Sequence, residues 1–569
     1  MEKNDLRRIA GPFMSILSRR SFFRATAARR LCAFRALPSI LMLVGIAWSN
    51  EPVTITAHAG AKQTFEGLGC SHVDNDPPLA YLELPTESRL EMIELLWKEA
   101  RFHYLRVWLE VDESLESFNT RLSRYLTDMW AVNPDARLLF SPHGPVGNPR
   151  GYAGHFAEQM YLLRRDYGIP MYATGIGNEP NNPDIGMSRE MVPLIVKTLR
   201  DSLDYWEQHH IDSTGEHLGL DTVRIIAPEV SNTADSWYYD FVEAIQQDPE
   251  AIEALDAFAV HSYNMCMTKD ALDMVAEYLP GDGTGTHALW ETESSNTLQP
   301  EIPSDKFNGD SLKGSETVAR MISDVNLGVS VWLFWKGIQG FTVYDNGSNV
   351  IGHNHISGEY RPFLKYYYLR QIARTFDIGT VMRRCTSDLS ADDNRYVYME
   401  NWYCNPDDPN ETKSPVCAAV GQNPDGEWAI AVVNQTGIPN RPGANFKPAT
   451  TYDVTIQIEE LAGSGSQQYL VFRCNNGTRN VIDDNPATMV DGAVTVTIGP
   501  NDLVSLRPHF DTTYETEPRD FVLRSPECGG CGSGVVAAFL PPLGFKAGSL
   551  ARRRKRRARK CRDTRGKAA

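Results

Sequence analysis

Two short motifs carry carboxylates that could act together on one substrate. The first, Gly-Asn-Glu-Pro, contains Glu179, and the second, Trp-Glu-Thr-Glu-Ser, contains Glu291 and Glu293. Each lies at the end of a short apolar run of the kind that forms a buried strand. Two carboxyl groups held about 5 to 5.5 Å apart can cleave a glycosidic bond, one as acid and base and the other as nucleophile. These residue types therefore predict acid–base and nucleophilic chemistry, provided that the fold brings the motifs together.

A regular succession of apolar runs predicts the fold that positions these motifs. Between about residues 63 and 335, these runs alternate with segments whose apolar residues recur at helical spacing. The starts of the runs are about 30 to 50 residues apart, as in βαβ units. We therefore predict a (β/α)8 barrel over residues 60–375, with its chemistry at the C-terminal ends of the strands. The alternative is an open doubly wound sheet, but no GxGxxG or GxxxxGK[ST] sequence follows any run. The eight runs are 65–71, 103–109, 137–142, 171–178, 223–230, 255–263, 287–294 and 328–335.

The pattern of the sequence changes after residue 376. Helical periodicity disappears, and short runs rich in Val, Ile, Tyr and Thr alternate with Asn, Gly, Pro and Asp. This pattern is typical of an antiparallel β-sandwich, which we predict over residues 376–512. An early run, residues 53–58, has the same β character, and we expect it to join the sandwich.

Both candidate carboxylates lie at strand ends in this predicted barrel. Glu179 follows the fourth strand and Glu293 ends the seventh, so the two can face each other across the top of the barrel. Glu291 is an alternative to Glu293, because the two have the same parity along the strand and are expected to point the same way. We favour Glu293, since it lies nearer the C-terminal end of its strand.

These motifs resemble those of clan A glycoside hydrolases, and most nearly those of family 30. Gly-Ile-Gly-Asn-Glu-Pro is similar to the clan's Asn-Glu-Pro, which implies that Glu179 is the acid/base and that Asn178 bonds the sugar 2-hydroxyl. Trp-Glu-Thr-Glu-Ser resembles the Trp-x-Thr-Glu of the xylanase branch, which implies that Glu293 is the nucleophile. The run FEGLGCS resembles the family's Phe-x-Gly-Phe-Gly-Gly but departs from it at Leu68 and Cys70.

The resemblance also implies roles for residues at other strand ends. In similar enzymes a His or Tyr ending the sixth strand holds the nucleophile, which assigns that role to His261 and Tyr263. A core histidine bonded to a backbone carbonyl is the alternative for His261. Arg106, on the second strand, could keep Glu293 ionised or could form a structural ion pair.

Three more residues are candidates for sugar recognition. Trp335 ends the eighth strand, where the clan commonly offers an indole face to the sugar; Trp332 has the other parity, so only one of the two faces inward. His143 follows the third strand and could bond sugar hydroxyls. Glu229, at the fifth strand, could do the same or cap a helix, and the sequence does not choose between these roles.

The distribution of charge excludes one class of partner for the body of the chain. Residues 1–50 carry nine Lys and Arg against two acidic residues, and residues 551–569 carry eleven against one. Since the whole chain has a formal net charge of −16, the 500 residues between these ends hold a net charge of −33. Nucleic acid is therefore not expected as a partner, because each phosphate contact needs Lys or Arg.

The two basic ends are predicted to be targeting segments. Residues 1–49 combine an Arg-rich stretch, a short apolar run and small residues before Asn50, which is typical of a secretory signal peptide; an uncleaved membrane anchor is the alternative. Residues 525–569 place a Gly/Cys motif, an apolar stretch and a basic cluster in the order found in surface-protein sorting tails. A disordered basic tail is the alternative for that end. We expect a secreted or cell-surface protein, attached through this tail and monomeric.

The sequence predicts neither a cofactor nor a metal. His353 and His355 have a spacing that suggests a metal site, but no acidic or Cys cluster accompanies them. Cys385, Cys404 and Cys417 lie in the last third with Cys474, where one or two disulfides are expected if the compartment is oxidising.

The function that combines these predictions is retaining β-glycoside hydrolysis of a poly- or oligosaccharide, with Glu179 and Glu293 as the two catalytic groups. Two non-enzymatic alternatives remain open. A catalytically inactive glycan-binding protein could use the same scaffold, and so could an adhesin-like surface protein.

Overall fold

The structure is a computed structural model of the 569-residue chain. It describes residues 50–71, 80–210, 215–231, 233, 236–263, 269–281, 285–295, 307–339, 349–354, 357–389, 415–436, 449–475 and 477–510. The predicted signal peptide, the predicted sorting tail, His355 and Cys404 lie outside these residues.

The described residues form strands β1 to β23 and helices α1 to α10. The strands are β1 Glu51–Ala57, β2 Thr64–Phe65, β3 Gly67–Ser71, β4 Tyr104–Glu110, β5 Arg137–His143, β6 Ala173–Gly175, β7 Arg224–Val230, β8 Ala257–His261, β9 Ala288–Ser294, β10 Val331–Trp335, β11 Ile338–Gln339, β12 Ile351–His353, β13 Tyr360–Pro362, β14 Thr380–Arg383, β15 Cys385–Ser387, β16 Val416–Gln422, β17 Trp428–Asn434, β18 Tyr452–Ile458, β19 Ser466–Cys474, β20 Val481–Ile482, β21 Ala487–Val490, β22 Ala493–Ile498 and β23 Leu503–Arg507. The helices are α1 Ala80–Glu83, α2 Thr86–Glu94, α3 Leu115–Val132, α4 Pro149–Tyr167, α5 Met191–His209, α6 Ser236–Gln246, α7 Pro249–Ala254, α8 Lys269–Val275, α9 Phe307–Asn326 and α10 Leu364–Thr375. A π-helical turn, Leu95–Glu99, continues α2.

Eight parallel strands close into the barrel that the apolar runs predict. Their order around the barrel is β10, β3, β4, β5, β6, β7, β8 and β9. These strands are apolar on both faces because side chains alternate between the barrel interior and the surrounding helices. The interior layer consists of Tyr104, Leu139, Ala173, Ile226, Ala257, Ala259, Trp290, Val331 and Leu333, all fully buried. The predicted fold class, a barrel with a β-sandwich, is confirmed.

Local sequence signals set the limits of the barrel helices. The side chain of Ser114 accepts a hydrogen bond from the backbone N–H of Ser117 and begins α3. Asn148 caps α4 in the same way, with a proline at the first helical position. That helix ends at Gly168, whose φ of 66° is a left-handed conformation that favours glycine.

The second sheet curls into the sandwich, with strand order β15, β1, β18, β22, β21, β19, β23, β17, β16, β14 and β2. Its two halves are joined through β19, which pairs with β21 near one end and with β23 near the other. Strand β1 lies between β15 and β18 and is parallel to β18 over its whole length. The sandwich was predicted to be antiparallel, and this parallel pair is an exception to that prediction. Both β1 and β2 precede the barrel in the chain.

Helix α10 connects the barrel to the sandwich. Its residue Gln371 donates from Nε2 to the backbone oxygens of Phe472 and Leu503, at 2.8 and 3.1 Å. At the other end of β23, Arg507 donates to the backbone oxygen of Arg374 at 3.1 Å. The barrel is therefore hydrogen-bonded to the sandwich through its last helix. Within the described part of the chain, no helix is long and apolar enough to cross a bilayer.

The expected disulfides are not found among the cysteines that the structure describes. Cys385 and Cys474 are free and buried in the sandwich region, as is Cys70 in the barrel. Burial raises the pKa of the Cys385 thiol to about 12, so this thiol is protonated and unreactive at neutral pH. Cys385 and Cys474 therefore do not pair with each other, because clustering along the chain does not imply that side chains meet in space. A disulfide that involves Cys404 stays a prediction, since Cys404 lies outside the described residues.

Candidate functional site

The polar residues of the site lie at the mouth of the barrel, which we define as the C-terminal ends of its eight strands. Strand β6 ends at Gly175, and the chain then turns so that the backbone N–H of Asn178 donates to Pro142 O at 2.8 Å. Glu179 follows with a left-handed φ of 47°, and its N–H donates to the backbone oxygen of Glu229 at 3.2 Å. This turn places Glu179 above the barrel axis.

Arg106 is the centre of the site. It extends into the barrel from β4 and has no exposed surface. Its Nη1 donates to Glu293 at 2.5 Å, and its Nη2 donates to Ser141 Oγ and Asn178 Oδ1, both at 2.8 Å. Its Nε donates to Glu229 at 3.1 Å. A planar guanidinium with five donors can hold this many acceptors in one fixed arrangement.

A β-bulge in β9 turns Glu293 toward Arg106. Against β8, Val260 pairs with Glu291 and the next residue, His261, pairs with Glu293, so Thr292 is the extra residue. Trp290 and Glu293 therefore both face the interior, although their parity differs.

Glu291 faces the opposite side of β9, toward α9, and the expectation that it points the same way as Glu293 is wrong. Burial raises its pKa well above the ordinary value, and the nearby Asp324 adds to this effect, while Ser262 and Arg320 partly oppose it. Burial thus favours the protonated form of Glu291, which lies behind the barrel wall and cannot replace Glu293 at the mouth.

Tyr263 lies just past β8 and donates its hydroxyl to Oε2 of Glu293 in a short hydrogen bond. Burial, with the charges of Glu293 and Glu179, raises the pKa of Tyr263 well above its ordinary value. Tyr263 therefore stays protonated and acts as a donor. Glu293 is thus held on one oxygen by Arg106 and on the other by Tyr263.

His261 is fully buried between the two carboxylates. Its Nε2 lies 3.4 Å from Nη2 of Arg106, and since a guanidinium can only donate, Nε2 must accept. The proton then lies on Nδ1, which is 3.4 Å from Glu179 Oε1 and 3.4 Å from Glu293 Oε2. His261 therefore presents one N–H to both carboxylates, which differs from a core histidine bonded to a backbone carbonyl.

Glu179 is the more accessible of the two carboxylates, with 23% of its side chain exposed against 2% for Glu293. Burial raises its pKa, but the interaction with His261 and the charges of Arg106 and His143 outweigh burial, and the net pKa is below the ordinary value. These contacts therefore keep Glu179 ionised at neutral pH, and Glu179 becomes a proton donor only at acidic pH or when a substrate changes them.

The two carboxylates are close enough to work on one bond. One oxygen of Glu179, one of Glu293 and a ring nitrogen of His261 all lie within 4.8 Å of one another. Such a group of ligand atoms could also gather around a metal ion, but Arg106 already occupies Glu293 and places a positive charge beside it. The donor set fits acid–base chemistry better than metal binding.

Aromatic side chains form one wall of the mouth. Trp335 ends β10 and lies 5.5 Å from Trp108 of β4, between ring centroids. Trp108 in turn stacks on His143 at 4.5 Å, and the Nδ1 of His143 lies 2.7 Å from Glu110. Trp332 faces outward and donates to Asp324 of α9 at 3.0 Å, so Trp335 is the inward-facing member of the pair.

Comparison with solved structures places this geometry on a known fold. The catalytic domain of family 30 xylanase C from Talaromyces cellulolyticus superposes with a TM-score of 0.56 at 13% identity, over 81% of this chain and all of the other. The endo-β1,6-glucanase BT3312 gives 0.54 at 15%, over 80% and 93% of the two chains. A family 30 endoxylanase from Clostridium papyrosolvens gives 0.53 at 14%, over 80% and 99%.

The chain has the fold of family 30 glycoside hydrolases. The resemblance to clan A that the motifs indicated is therefore confirmed at the level of the fold. No protein-family model matches the sequence, and no curated protein matches it either.

On this fold the structure brings together eight of the residues that the sequence singled out, whereas Glu291 and Trp332 face α9. Glu179, Glu293, Asn178, Arg106, His261 and Tyr263 form one contact network, while His143 and Trp335 lie on the aromatic wall.

Sequence reasoning missed Trp108 and Glu110 and left the role of Glu229 open. Trp108 shares the parity of Arg106 along β4, and that signal could have found it. Glu229 is a fully buried acid that follows the apolar residues 225–228 of β7, which is itself a signal of a paired or functional charge.

Proposed function

We propose that this protein is a retaining β-glycoside hydrolase. The observation that carries the proposal is the approach of Glu179 to Glu293 within 4.8 Å at the barrel mouth. Retaining enzymes hold their two carboxyl groups about 5 to 5.5 Å apart, whereas inverting enzymes need about 6.5 to 9.5 Å to admit a water. The observed separation favours direct attack by one carboxylate.

Glu293 suits the role of nucleophile. Its charge is stabilised by Arg106, and the hydroxyl of Tyr263 orients its second oxygen. In the first step Glu293 attacks the anomeric carbon while Glu179 gives a proton to the leaving oxygen. In the second step Glu179 removes a proton from water, which displaces Glu293 and releases the sugar with its original configuration.

The substrate we propose is a neutral poly- or oligosaccharide. Arg106, the cation at the centre of the described site, is already bonded to two carboxylates and is not free to bind an anionic sugar. The indole of Trp335 and the pair formed by Trp108 and His143 offer apolar faces next to hydrogen-bonding groups, which suits a sugar ring. The similar solved proteins are named for xylan and β-1,6-glucan cleavage, so these polymers come first in a substrate screen. The proposed reaction needs no cofactor.

The proposal is tested by assaying the wild-type protein on a panel of plant and algal polysaccharides, followed by Glu179→Gln and Glu293→Gln. Each substitution is expected to lower kcat by about 10²- to 10⁴-fold, because each removes a group that takes part in the bond-breaking step. Proton NMR of the first product should show the configuration of the substrate.

Glu291→Gln is the matched control for this test. Since Glu291 lies outside the mouth and burial favours its protonated form, its replacement by an amide of nearly the same shape should leave kcat within about threefold of wild type. Oligosaccharide binding without cleavage by the wild type would overturn the proposal in favour of a glycan-binding protein.

We further propose that the protein acts outside the cell after removal of residues 1–49. Cleavage there leaves β1 complete, and β1 is needed because it is hydrogen-bonded to both β15 and β18. Mass spectrometry of the protein from its own cells is expected to show an N-terminus at Asn50, in the medium or the cell-surface fraction. A cytosolic chain that retains residue 1 would contradict this.

A further inference from the structure

A third buried carboxylate lies beneath the two at the mouth. Glu229 comes from β7 and has no exposed surface. Its Oε1 accepts from Nε of Arg106 at 3.1 Å, on the same guanidinium that holds Glu293 through Nη1. Arg106 therefore carries two carboxylates at once, and only one of them, Glu293, reaches the mouth.

The chain makes specific room for Glu229. A Cβ atom at Gly175 of β6 would lie 1.7 Å from Oε2 of Glu229, so the carboxylate occupies the space that any other residue type at this position would fill. The Oε2 atom itself has no hydrogen-bond partner among the described residues. Burying a carboxylate oxygen without a hydrogen-bond partner is costly, and an apolar side chain could fill the same space at a lower cost. The ion pair with Arg106 therefore points to an electrostatic role.

Glu229 also contacts the acid/base. Its backbone oxygen accepts from the N–H of Glu179 at 3.2 Å. Both residues have left-handed backbone conformations, with φ of 57° for Glu229 and 47° for Glu179. Glu229 thus contacts the backbone of Glu179 directly and is linked to the side chain of Glu293 through Arg106.

We infer that Glu229 is a positioning residue that divides the charge of Arg106 between itself and Glu293, and this inference rests on the proposed function. With Glu229 ionised, the guanidinium is held from below and only part of its positive charge stabilises Glu293. Without that second anion, Arg106 binds Glu293 more tightly, and a more strongly stabilised carboxylate is a poorer nucleophile. Glu229 therefore supports attack by Glu293 without touching the substrate.

Two substitutions separate charge from shape. Glu229→Gln keeps the shape of the side chain and loses the charge, whereas Glu229→Asp keeps the charge and shortens the side chain. If Glu229 acts through its charge, Gln should lower kcat by about 10- to 100-fold with KM changed by less than about threefold, and Asp should retain more activity than Gln. If Glu229 only fills space, the order reverses and Gln is the better replacement.

The experiment measures kcat and KM for both variants on the best substrate of the wild type, with Tm recorded for each. Glu291→Gln is the matched control, because it changes another fully buried Glu that does not contact Arg106. A Gln variant at least as active as the Asp variant would overturn the inference and leave the proposed function intact. A wild-type protein that cleaves no glycoside would overturn both.

Discussion

The two ends of the barrel use the same residue types in different ways. At the floor, the N-terminal ends of the strands, Nη1 of Arg137 donates to the hydroxyls of Tyr104 and Tyr172 at 2.8 and 2.9 Å. Arg224 donates to Glu66 at 2.6 Å, and both of these side chains are about one-fifth exposed. The floor therefore has two guanidinium groups and one carboxylate, and the remaining acceptors are neutral hydroxyls. The ion pair is partly exposed to solvent.

At the mouth, carboxylates outnumber guanidinium groups, which is the reverse of the floor. Arg106 alone faces Glu229 and Glu293, with Glu179 close by, and the ion-paired groups are almost completely buried. One oxygen of Glu229 has no hydrogen-bond partner in the described part of the chain. An excess of buried negative charge is unfavourable for folding.

This difference supports the proposal that the mouth is the reactive end of the barrel. At the floor the polar groups are paired and partly exposed, whereas at the mouth buried carboxylates gather around one guanidinium, as is common at functional sites. The general rule that barrel enzymes place their sites at the C-terminal ends of strands agrees with this contrast.

Among the changes that test this contrast between the two ends, the largest effect is expected from removing the cation at the mouth. Arg106→Gln should lower kcat by about 10²- to 10³-fold, because a fixed charge that stabilises Glu293 is lost. It should also reduce the free energy of unfolding by about 3 to 5 kcal/mol, since Glu229 and Glu293 are left buried without a partner. Urea denaturation and steady-state kinetics measure the two effects. Full activity in this variant would contradict the proposal that the buried charges at the mouth are needed for catalysis.

The second effect is a change in pH dependence at the mouth. Glu179 must be protonated to act as an acid, and its lowered pKa means that activity falls as pH rises through an acidic value. His261→Phe removes the hydrogen bond that lowers this pKa and leaves the opposing effect of burial. The alkaline limb of kcat/KM against pH should therefore move to higher pH. A shift to lower pH would contradict the role assigned to His261.

The smallest effect on activity is expected at the floor. Arg224→Gln removes the partner of Glu66 and should reduce the free energy of unfolding by about 1 to 2 kcal/mol. The kcat per folded molecule should stay within about threefold of wild type, because no floor residue approaches the carboxylate pair. Kinetics at a temperature well below Tm, with urea denaturation alongside, test this. A loss of kcat as large as that of Arg106→Gln would show that the two ends are coupled.

Much of this architecture was predictable from local patterns. The eight apolar runs each overlap one barrel strand, and the change of pattern after residue 376 precedes β14, the first strand of the sandwich sheet after the barrel. Glu179 and Glu293 stood out because a carboxylate at the end of an apolar strand must lie at the same edge as every other strand end. Such inferences need only periodicity and chain direction.

Other features depended on contacts between distant parts of the chain. The bulge at Thr292 sends Glu291 and Glu293 to opposite sides of β9, and no parity argument can detect an inserted residue. The link between Arg106 and Glu229 joins strands 123 residues apart. The free cysteines and the parallel pairing of β1 with β18 likewise depend on register between strands.

The sequence by itself thus determined the barrel, the sandwich and the two carboxylates at the mouth, because strand periodicity and strand-end chemistry are local properties. Only the tertiary structure decided which Glu of β9 faces inward, how Arg106 divides its bonds and that Glu229 belongs to the site. These are matters of register and of a shared guanidinium, which arise when strands far apart in the chain are brought side by side.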